Sequence, residues 1–312
     1  YKPGKVLFFK ENLDSKAAVA MVLDTSGSMR YDTIYEGSTI KKIEALKISA
    51  KNLINSFVNL DNVSLSLIPF NASANGPGEL KSVRASISDL EERIEKLEAN
   101  GGTNIGDGIR RAYHILKKFN DASVENEEAN KYLIIIMDGL PTYGTIDIDN
   151  RYTSETRTLS SNMGKYYIDE SLNVYEHYKT EYILIFPYRW HYRKVNFYLN
   201  DGDINENTDL VGSGSLSEDN YNIGLSYVSE IGEKLNDIKN LKVFLVGFFT
   251  ESGNQDKDLE MNYFEEIKKA LRSQEREVDG FIANDGDKLN LAITEIEESI
   301  IGEYWRIFGP RE

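Results

Sequence analysis

The chain contains no cysteine. That excludes a disulfide framework, a thiol nucleophile and Cys-ligated zinc, although it leaves the compartment open. Histidine is nearly as scarce: His114, His177 and His191 are scattered and share no metal-ligand spacing. Basic charge is in deficit, with 36 Lys and Arg against 51 Asp and Glu, a formal net charge of −15. A nucleic-acid backbone calls for clustered cations, so no nucleic-acid partner is expected. No apolar run approaches the ~18 residues of a membrane span. The longest clusters, Leu133 to Met137 and Val243 to Val246, are strand-sized. There is no G-x-S-x-G elbow, Walker A sequence or zinc-protease signature. The glycines Gly102, Gly106 and Gly108 do not follow a strand, as a dinucleotide loop must. No internal repeat and no cell-wall sorting motif is visible. The chain opens at Tyr1 with no signal-like apolar core before Phe9, so a trimmed piece is expected, its signal or anchor lying elsewhere.

What remains is sufficient for a core. The 312 residues are 40% hydrophobic, enough for one large domain or two ordinary ones. Ala17 to Leu23, Val63 to Phe70, Tyr132 to Met137 and Leu241 to Phe249 are apolar without alternation, as strands buried on both faces are. Helical spacing joins Ile43, Leu46, Ala50, Leu53, Ile54 and Phe57, and again Ile87, Leu90, Ile94 and Leu97. A third helix carries Ile105, Ile109, Ala112, Ile115 and Leu116, capped by Asn104 or Thr103. A helical pattern resumes over Tyr221 to Asp237, and a last one runs from Asp287 to Ile307 with a stripe at Leu291, Ile293, Ile296 and Ile300. Strands alternating with helices predict an α/β fold with a mostly parallel sheet covered on both faces.

Residues 143–220 break this rhythm. They are rich in Tyr, Asn, Asp, Ser and Thr, and far too long for an ordinary connection. The expected organisation is a lead-in over 1–16, a first domain part over 17–142, an insertion over 143–220, a second domain part over 221–308 and a tail over 309–312. Within the insertion, Glu181 to Pro187 and Lys194 to Leu199 read as strands separated by Tyr188 to Arg193.

The first strand runs straight into Asp24-Thr25-Ser26-Gly27-Ser28. Ligands of open parallel sheets bind beyond the carboxyl ends of the strands. There, in extended backbone, i, i+2, i+4 spacing points the side chains of Asp24, Ser26 and Ser28 one way. A carboxylate with two hydroxyls suits a hard cation. Gly101-Gly102-Thr103 brings a hydroxyl towards the same edge, and Asp138-Gly139 closes the strongest strand with a carboxylate. The five residues amount to an octahedral oxygen set with one position missing. Each also has a plainer reading: a side-chain-capped turn at Asp24 to Ser28, a helix cap at Thr103, ordinary turn chemistry at Asp138-Gly139. Hydrolysis would need a general base beside the ion, and no histidine follows any of these loops, so an enzyme is not expected.

In order and spacing this constellation resembles the metal-ion-dependent adhesion site of the von Willebrand factor A family. The family pattern is D-x-S-x-S after the first strand, a Thr in a later loop and an Asp after the fourth strand. The resemblance covers roughly 17–142 and 221–301, and it implies a Rossmann-like doubly wound sheet with the Tyr/Asn-rich insertion placed after the fourth strand. It further implies Mg²⁺ or Mn²⁺, with Ca²⁺ as an alternative, held by Asp24, Ser26, Ser28, Thr103 and Asp138. The hydroxyls and Thr would bind directly, the aspartates partly through water, and a partner's Glu or Asp would take the open position. Leu67-Ile68-Pro69-Phe70-Asn71 and Tyr304-Trp305-Arg306-Ile307-Phe308-Gly309-Pro310 also look like the bacterial pilus-associated branch.

Three further features have two readings each. Asp201, Asp203, Asn205, Asn207 and Asp209 alternate like a calcium loop, but Glu206 stands where an EF-hand requires Gly and Gly212 where it requires Glu, so a solvated acidic turn competes. The aromatics Tyr182, Phe186, Tyr188, Trp190, Tyr192, Phe197 and Tyr198 form either the core of a hairpin or, through Tyr188, Arg189, Trp190, Tyr192 and Arg193, a partner-binding surface. Asp107 is a first-turn acid complementing the helix dipole, or a group near metal-bound water. The expected function is a divalent-metal-dependent protein-binding module of a bacterial surface or pilus-associated protein. Its partners would be host matrix or plasma proteins, or other pilus subunits. The alternative is an envelope or cytosolic assembly component using the same site to organise its own complex.

Overall fold

A computed structural model of the chain describes residues 8–11, 16–74, 76, 78–203, 207–250 and 257–308. Its centre is a six-stranded sheet in the order Val278–Ala283, Leu241–Phe248, Asn130–Met137, Ala17–Asp24, Val63–Phe70, Lys81–Ser82. All neighbours are parallel except the short last strand, which is antiparallel. Every residue of Ala17–Asp24 is buried, because the strand is covered on both sides. Val19, Met21 and Leu23 meet the helices Lys42–Phe57, Val83–Glu95 and Gly286–Tyr304 on one face. Ala18, Ala20 and Val22 meet Ile105–Asp121, Glu218–Lys234 and Lys257–Leu271 on the other. The fold is α/β and doubly wound, as the unalternating apolar runs require.

The chain leaves Ala17–Asp24 towards Val63–Phe70 on one side and returns to Asn130–Met137 on the other. A topological switch point therefore lies between Asp24 and Asp138, at the carboxyl ends of adjacent strands. Between Ala17–Asp24 and the first helix a hairpin, Asp32–Tyr35 with Ser38–Lys41, turns on Glu36 (φ 48°) and Gly37 (φ 73°), the double positive φ of a tight hairpin.

The last helix differs from its sequence reading. Leu291 is 49% exposed, and Leu289, Ala292, Ile293, Ile296 and Ile300 form its buried face. Its end is also earlier than expected: Trp305–Phe308 is a strand, paired antiparallel with Phe8–Glu11 from the lead-in. The 309–312 tail lies outside the described residues.

The insertion has its own architecture. Tyr143–Asp147 pairs with Thr208–Gly212 as a stem, and a four-stranded antiparallel sheet follows the order Tyr166–Ile168, Val174–Ile183, Phe186–Val195, Tyr152–Leu159. Ile146, Val174, Val195, Phe197 and Val211 pack with Ile223 and Tyr227 of the helix Glu218–Lys234, which fixes the insertion to the main domain. The expected hairpin is corrected here. Tyr188 to Arg193 is strand, not the connection, and the turn falls at Leu184-Ile185. The apolar stretch Glu181 to Pro187 is not one strand: its centre is the exposed bend of the hairpin.

Candidate metal centre

Asp24 ends its strand and braces the turn that follows. Its Oδ1 accepts from Ser26 N at 2.8 Å and its Oδ2 from Asp138 N at 3.1 Å, tying the two strand ends across the switch point. The Ser26 and Ser28 hydroxyls stand 3.0 Å apart. Both donate to Asp138 Oδ1, at 3.2 Å and 2.6 Å. The second loop is strapped to the first by Gly27 N to Gly101 O (3.0 Å) and Asn100 N to Thr25 O (2.8 Å). Gly101 has φ +73°, and a Cβ on Gly102 would stand 2.4 Å from the Tyr143 ring, so this loop needs both glycines. It is joined to the third by Thr142 N donating to Thr103 O (2.8 Å) and Thr103 N donating to Thr142 Oγ1 (3.1 Å). Asn104, not Thr103, caps the helix: its side chain accepts from Asp107 N. Thr103 is thereby relieved of the capping role that competed with ligation.

Three members of the donor set, Ser26, Ser28 and Asp138, are gathered in a way compatible with a small hard cation. An octahedral ion with metal–oxygen bonds of about 2.1 Å has neighbouring oxygens about 3 Å apart. The separations between Ser26 Oγ and Ser28 Oγ, and between Ser26 Oγ and Asp138 Oδ1, have that spacing before any ion enters. Asp24, with both oxygens already taken by backbone N–H groups, is suited to acting through water. Asp24, Ser26, Thr103 and Asp138 are buried, whereas Ser28 is half-buried and Gly101 exposed, so the site opens to solvent on that side. No group of three or more His, Asp or Glu capable of holding a metal occurs among the described residues.

Its charges are balanced in a way the sequence did not reveal. Burial first, and then the nearby Asp138 charge, push the Asp24 carboxyl well above the usual carboxylate range. Lys42, the first residue of its helix, is 4% exposed and places Nζ 3.4 Å from Asp138 Oδ2 and 5.4 Å from the centre of the Phe248 ring. A lysine at the head of an amphipathic helix reads as a solvated end, and nothing local marks it as part of the site.

Comparison with known proteins bears on the fold that carries these residues. Residues 19–140 match the family model of the von Willebrand factor type A domain. Over these residues the chain is similar to that domain. The inter-alpha-trypsin inhibitor heavy chain H2 of Mus musculus is 26% identical over 158 residues, which is 50% of this chain and 16% of that protein. The chain thus spans only a small part of the length of the curated relatives it matches. Among solved structures, the PilB minor pilin from Streptococcus sanguinis superposes with a TM-score of 0.66 at 19% identity, covering 98% of this chain and 64% of that one. The von Willebrand factor domain of the type V pili tip protein Mfa5 from Porphyromonas gingivalis gives 0.53 at 14% identity, covering 96% and 98%. At these identities the likeness is one of fold.

The remaining candidates lie outside this cluster. Asp203 pairs with Arg111 at 3.0 Å and Asp201 with the same arginine at 3.6 Å. Asp209 turns to Arg151 at 3.1 Å, while the Asn207 carbonyl accepts from Ile148 N. Asn205 lies outside the described residues. The alternating acids are thus turned to two different arginines and are not gathered around one point. Tyr192 is withdrawn from the expected recognition surface: it is fully buried, and its hydroxyl accepts from Met163 N and donates to Gly164 O. Strand alternation puts it on the covered face. Tyr188, Arg189 and Arg193 are exposed, Trp190 half-buried, and Arg193 stacks over Tyr178 at 4.3 Å. Asp107 is neither a free first-turn acid nor near the centre's oxygens by any bond. It is buried, accepts from Ala74 N at 2.6 Å, and pairs at 2.8 Å with Arg110, which donates to Asn200 O and Gly202 O. This pair ties residues 200 and 202 of the insertion to the helix Ile105–Asp121.

Proposed function

We propose that this chain is a divalent-cation-dependent protein-binding module of a bacterial surface or pilus-associated protein. The observation that carries the reading is the convergence of Ser26 Oγ, Ser28 Oγ and Asp138 Oδ1 at the switch point, open to solvent beside Ser28. Mg²⁺ or Mn²⁺ would be held by Ser26, Ser28, Thr103 and Asp138, with Asp24 acting through water, and Ca²⁺ is the alternative ion. When bound, the ion supplies an electrophilic position for one oxygen of a partner carboxylate.

The chain's own residues do the rest. With a divalent ion bound, its charge would offset the burial that raises the Asp24 carboxyl. With both aspartates ionised and Lys42 charged the buried centre would carry −2 + 1 + 2 = +1, which favours an acidic partner group in a low-dielectric setting. Tyr143, the first residue of the insertion, lies against Gly102, which supports a role for the insertion in selecting the partner. No catalysis is proposed. Asp24 is occupied by backbone donors and Asp138 by hydroxyls and Lys42, while His114, His177 and His191 bond to Leu199, Thr180 and Thr158.

The pilus setting is supported by fold likeness to a minor pilin and a pilus tip domain. Partners would be host matrix or plasma proteins, or other subunits of the same appendage. Solid-phase binding to such a panel in Mg²⁺ or Mn²⁺, repeated in EDTA, tests the reading. Saturable binding lost in EDTA and in Ser28→Ala supports it. Binding that persists in EDTA contradicts it, and metal-induced stabilisation without any partner points to the assembly role.

A further inference from the structure

The two central strands of the insertion's sheet, Val174–Ile183 and Phe186–Val195, extend beyond their neighbours. Tyr166–Ile168 pairs no further out than Glu176, and Tyr152–Leu159 no further than Trp190. From the rung Thr180–Trp190 outward the hairpin stands alone, about 15 Å of two-stranded ribbon at ~3.4 Å per residue. Its end is apolar and uncovered. Tyr182, Ile183, Leu184, Ile185 and Phe186 are 60%, 60%, 90%, 81% and 67% exposed.

The turn is strained as well as greasy. Ile183 pairs with Phe186, leaving Leu184 and Ile185 as the two central residues, and Leu184 has φ 58°. A positive φ at the first central position alone is the II′ pattern, whose natural occupant is Gly. A leucine there is unfavourable for the turn and for solubility alike, and such outliers gather where a segment is selected for another task.

We propose that this tip is an interfacial membrane anchor: Ile183, Leu184, Ile185 and Phe186 enter the headgroup–acyl boundary of a phospholipid bilayer. Three features favour lipid over an apolar pocket on a protein. First, successive residues of a strand face opposite ways, yet Tyr182 and Ile183, Phe186 and Pro187 are all exposed and uncharged. A tip apolar all round suits a medium that surrounds it, whereas a docked protein covers one face. Second, the flanking residues match the headgroup layer, with Tyr188 and Trp190 as amphipathic rings and Arg189 stacked 5.3 Å over Tyr188. Between Tyr178 and Trp190 the cations Lys179 and Arg189 outnumber the acid Glu181, which is held by Lys179, His191 and the Tyr188 hydroxyl. In a chain of charge −15 this is a local reversal, and acids beyond ~8 Å are largely screened. Third, the depth is right. Two residues per strand reach about 7 Å, within the 5–10 Å of interfacial insertion and short of the hydrocarbon centre, where hairpin edges would leave backbone groups unpaired. This inference is independent of the metal centre.

The test is co-sedimentation of the whole chain, in EDTA, with vesicles of phosphatidylcholine and phosphatidylglycerol in equal parts. The comparison is the double variant Leu184→Gly/Ile185→Ser, which supplies the turn sequence a II′ hairpin prefers and should fold at least as well, as its urea midpoint will report. The expected result is vesicle binding by the native chain and a partition coefficient at least tenfold lower for the variant, at an equal or higher midpoint. Absence of binding by the native chain overturns the proposal, as does equal partition of the two. Sedimentation velocity without lipid covers the other occupant: a dimer lost in the variant, with no vesicle binding, assigns the tip to a second copy and overturns the lipid reading.

Discussion

Lys42 Nζ lies 3.4 Å from Asp138 Oδ2, with both side chains buried at the carboxyl end of the sheet. The ammonium is a built-in counter-charge to a carboxylate that the proposed ion would also use. Lysine and ion therefore oppose each other electrostatically while serving the same group. Lys42→Met should lower metal-free stability by about 3 kcal/mol, the cost of leaving one member of a buried pair alone. It should also tighten Mg²⁺ or Mn²⁺ binding by about tenfold or more, since a like charge is removed from beside the ion. Urea denaturation with and without saturating Mg²⁺ measures both, and the stability deficit should largely close in the metal.

Asp24 and Ser26 are expected to separate by role. Asp24→Ala leaves Ser26 N and Asp138 N without their acceptor in a buried setting. Each unsatisfied donor costs about 1–3 kcal/mol, so a loss of about 2–4 kcal/mol is expected even in EDTA. Ser26→Ala removes a hydroxyl that binds only within the cluster and should cost about 1 kcal/mol or less in EDTA, while abolishing stabilisation by Mg²⁺. Thermal melts in EDTA and in Mg²⁺ distinguish the two.

Arg110 and Asp107 form a buried pair that also grips the backbone at Asn200 and Gly202. Arg110→Met should destabilise by about 3 kcal/mol, and Asp107→Asn/Arg110→Met by less than the sum of the two single changes. Hydrogen exchange should show protection lost first around 198–203, where the insertion's backbone is held by the helix Ile105–Asp121.

Burial, only partly offset by Lys194 and reinforced by Glu233, pushes the Glu230 carboxyl up to about 7. Its unfolded value is near 4.5, so between those two pH values the folded chain holds a proton that the unfolded chain has released. The contribution to stability is full below pH 4.5 and lost as pH rises through 7. Glu230→Gln should abolish this component and make the chain more stable than the native one at pH 8, by about 1–3 kcal/mol. Urea midpoints across pH 5 to 8 check the slope.

Much of this was legible from side-chain pattern. Ala17–Asp24, Val63–Phe70 and Asn130–Met137 announce themselves because a strand covered on both faces has no polar positions to spare. Asp24, Ser26 and Ser28 were readable because the loop that carries them directly follows such a strand. Lys42 was not, since its partner is 96 residues away and only the sheet brings them together. The insertion's hairpin was misread for a different reason. Turns are recognised by Gly, Asn, Asp and Pro, and this one is made of Leu184 and Ile185. Tyr192 looked like its neighbours in composition, and only the register of Phe186–Val195 shows it to be buried.

Ser26, Ser28, Thr103 and Asp138, braced by Asp24, are proposed to hold one divalent ion. Titration of Mn²⁺ into the metal-free chain, followed by the loss of the free-ion paramagnetic resonance signal, tests it most directly beside Ser26→Ala/Ser28→Ala. One saturable site in the native chain and none in the double variant is the predicted result. A native chain that takes up no Mn²⁺, or a variant that takes it up equally well, would rule out a metal centre at these residues.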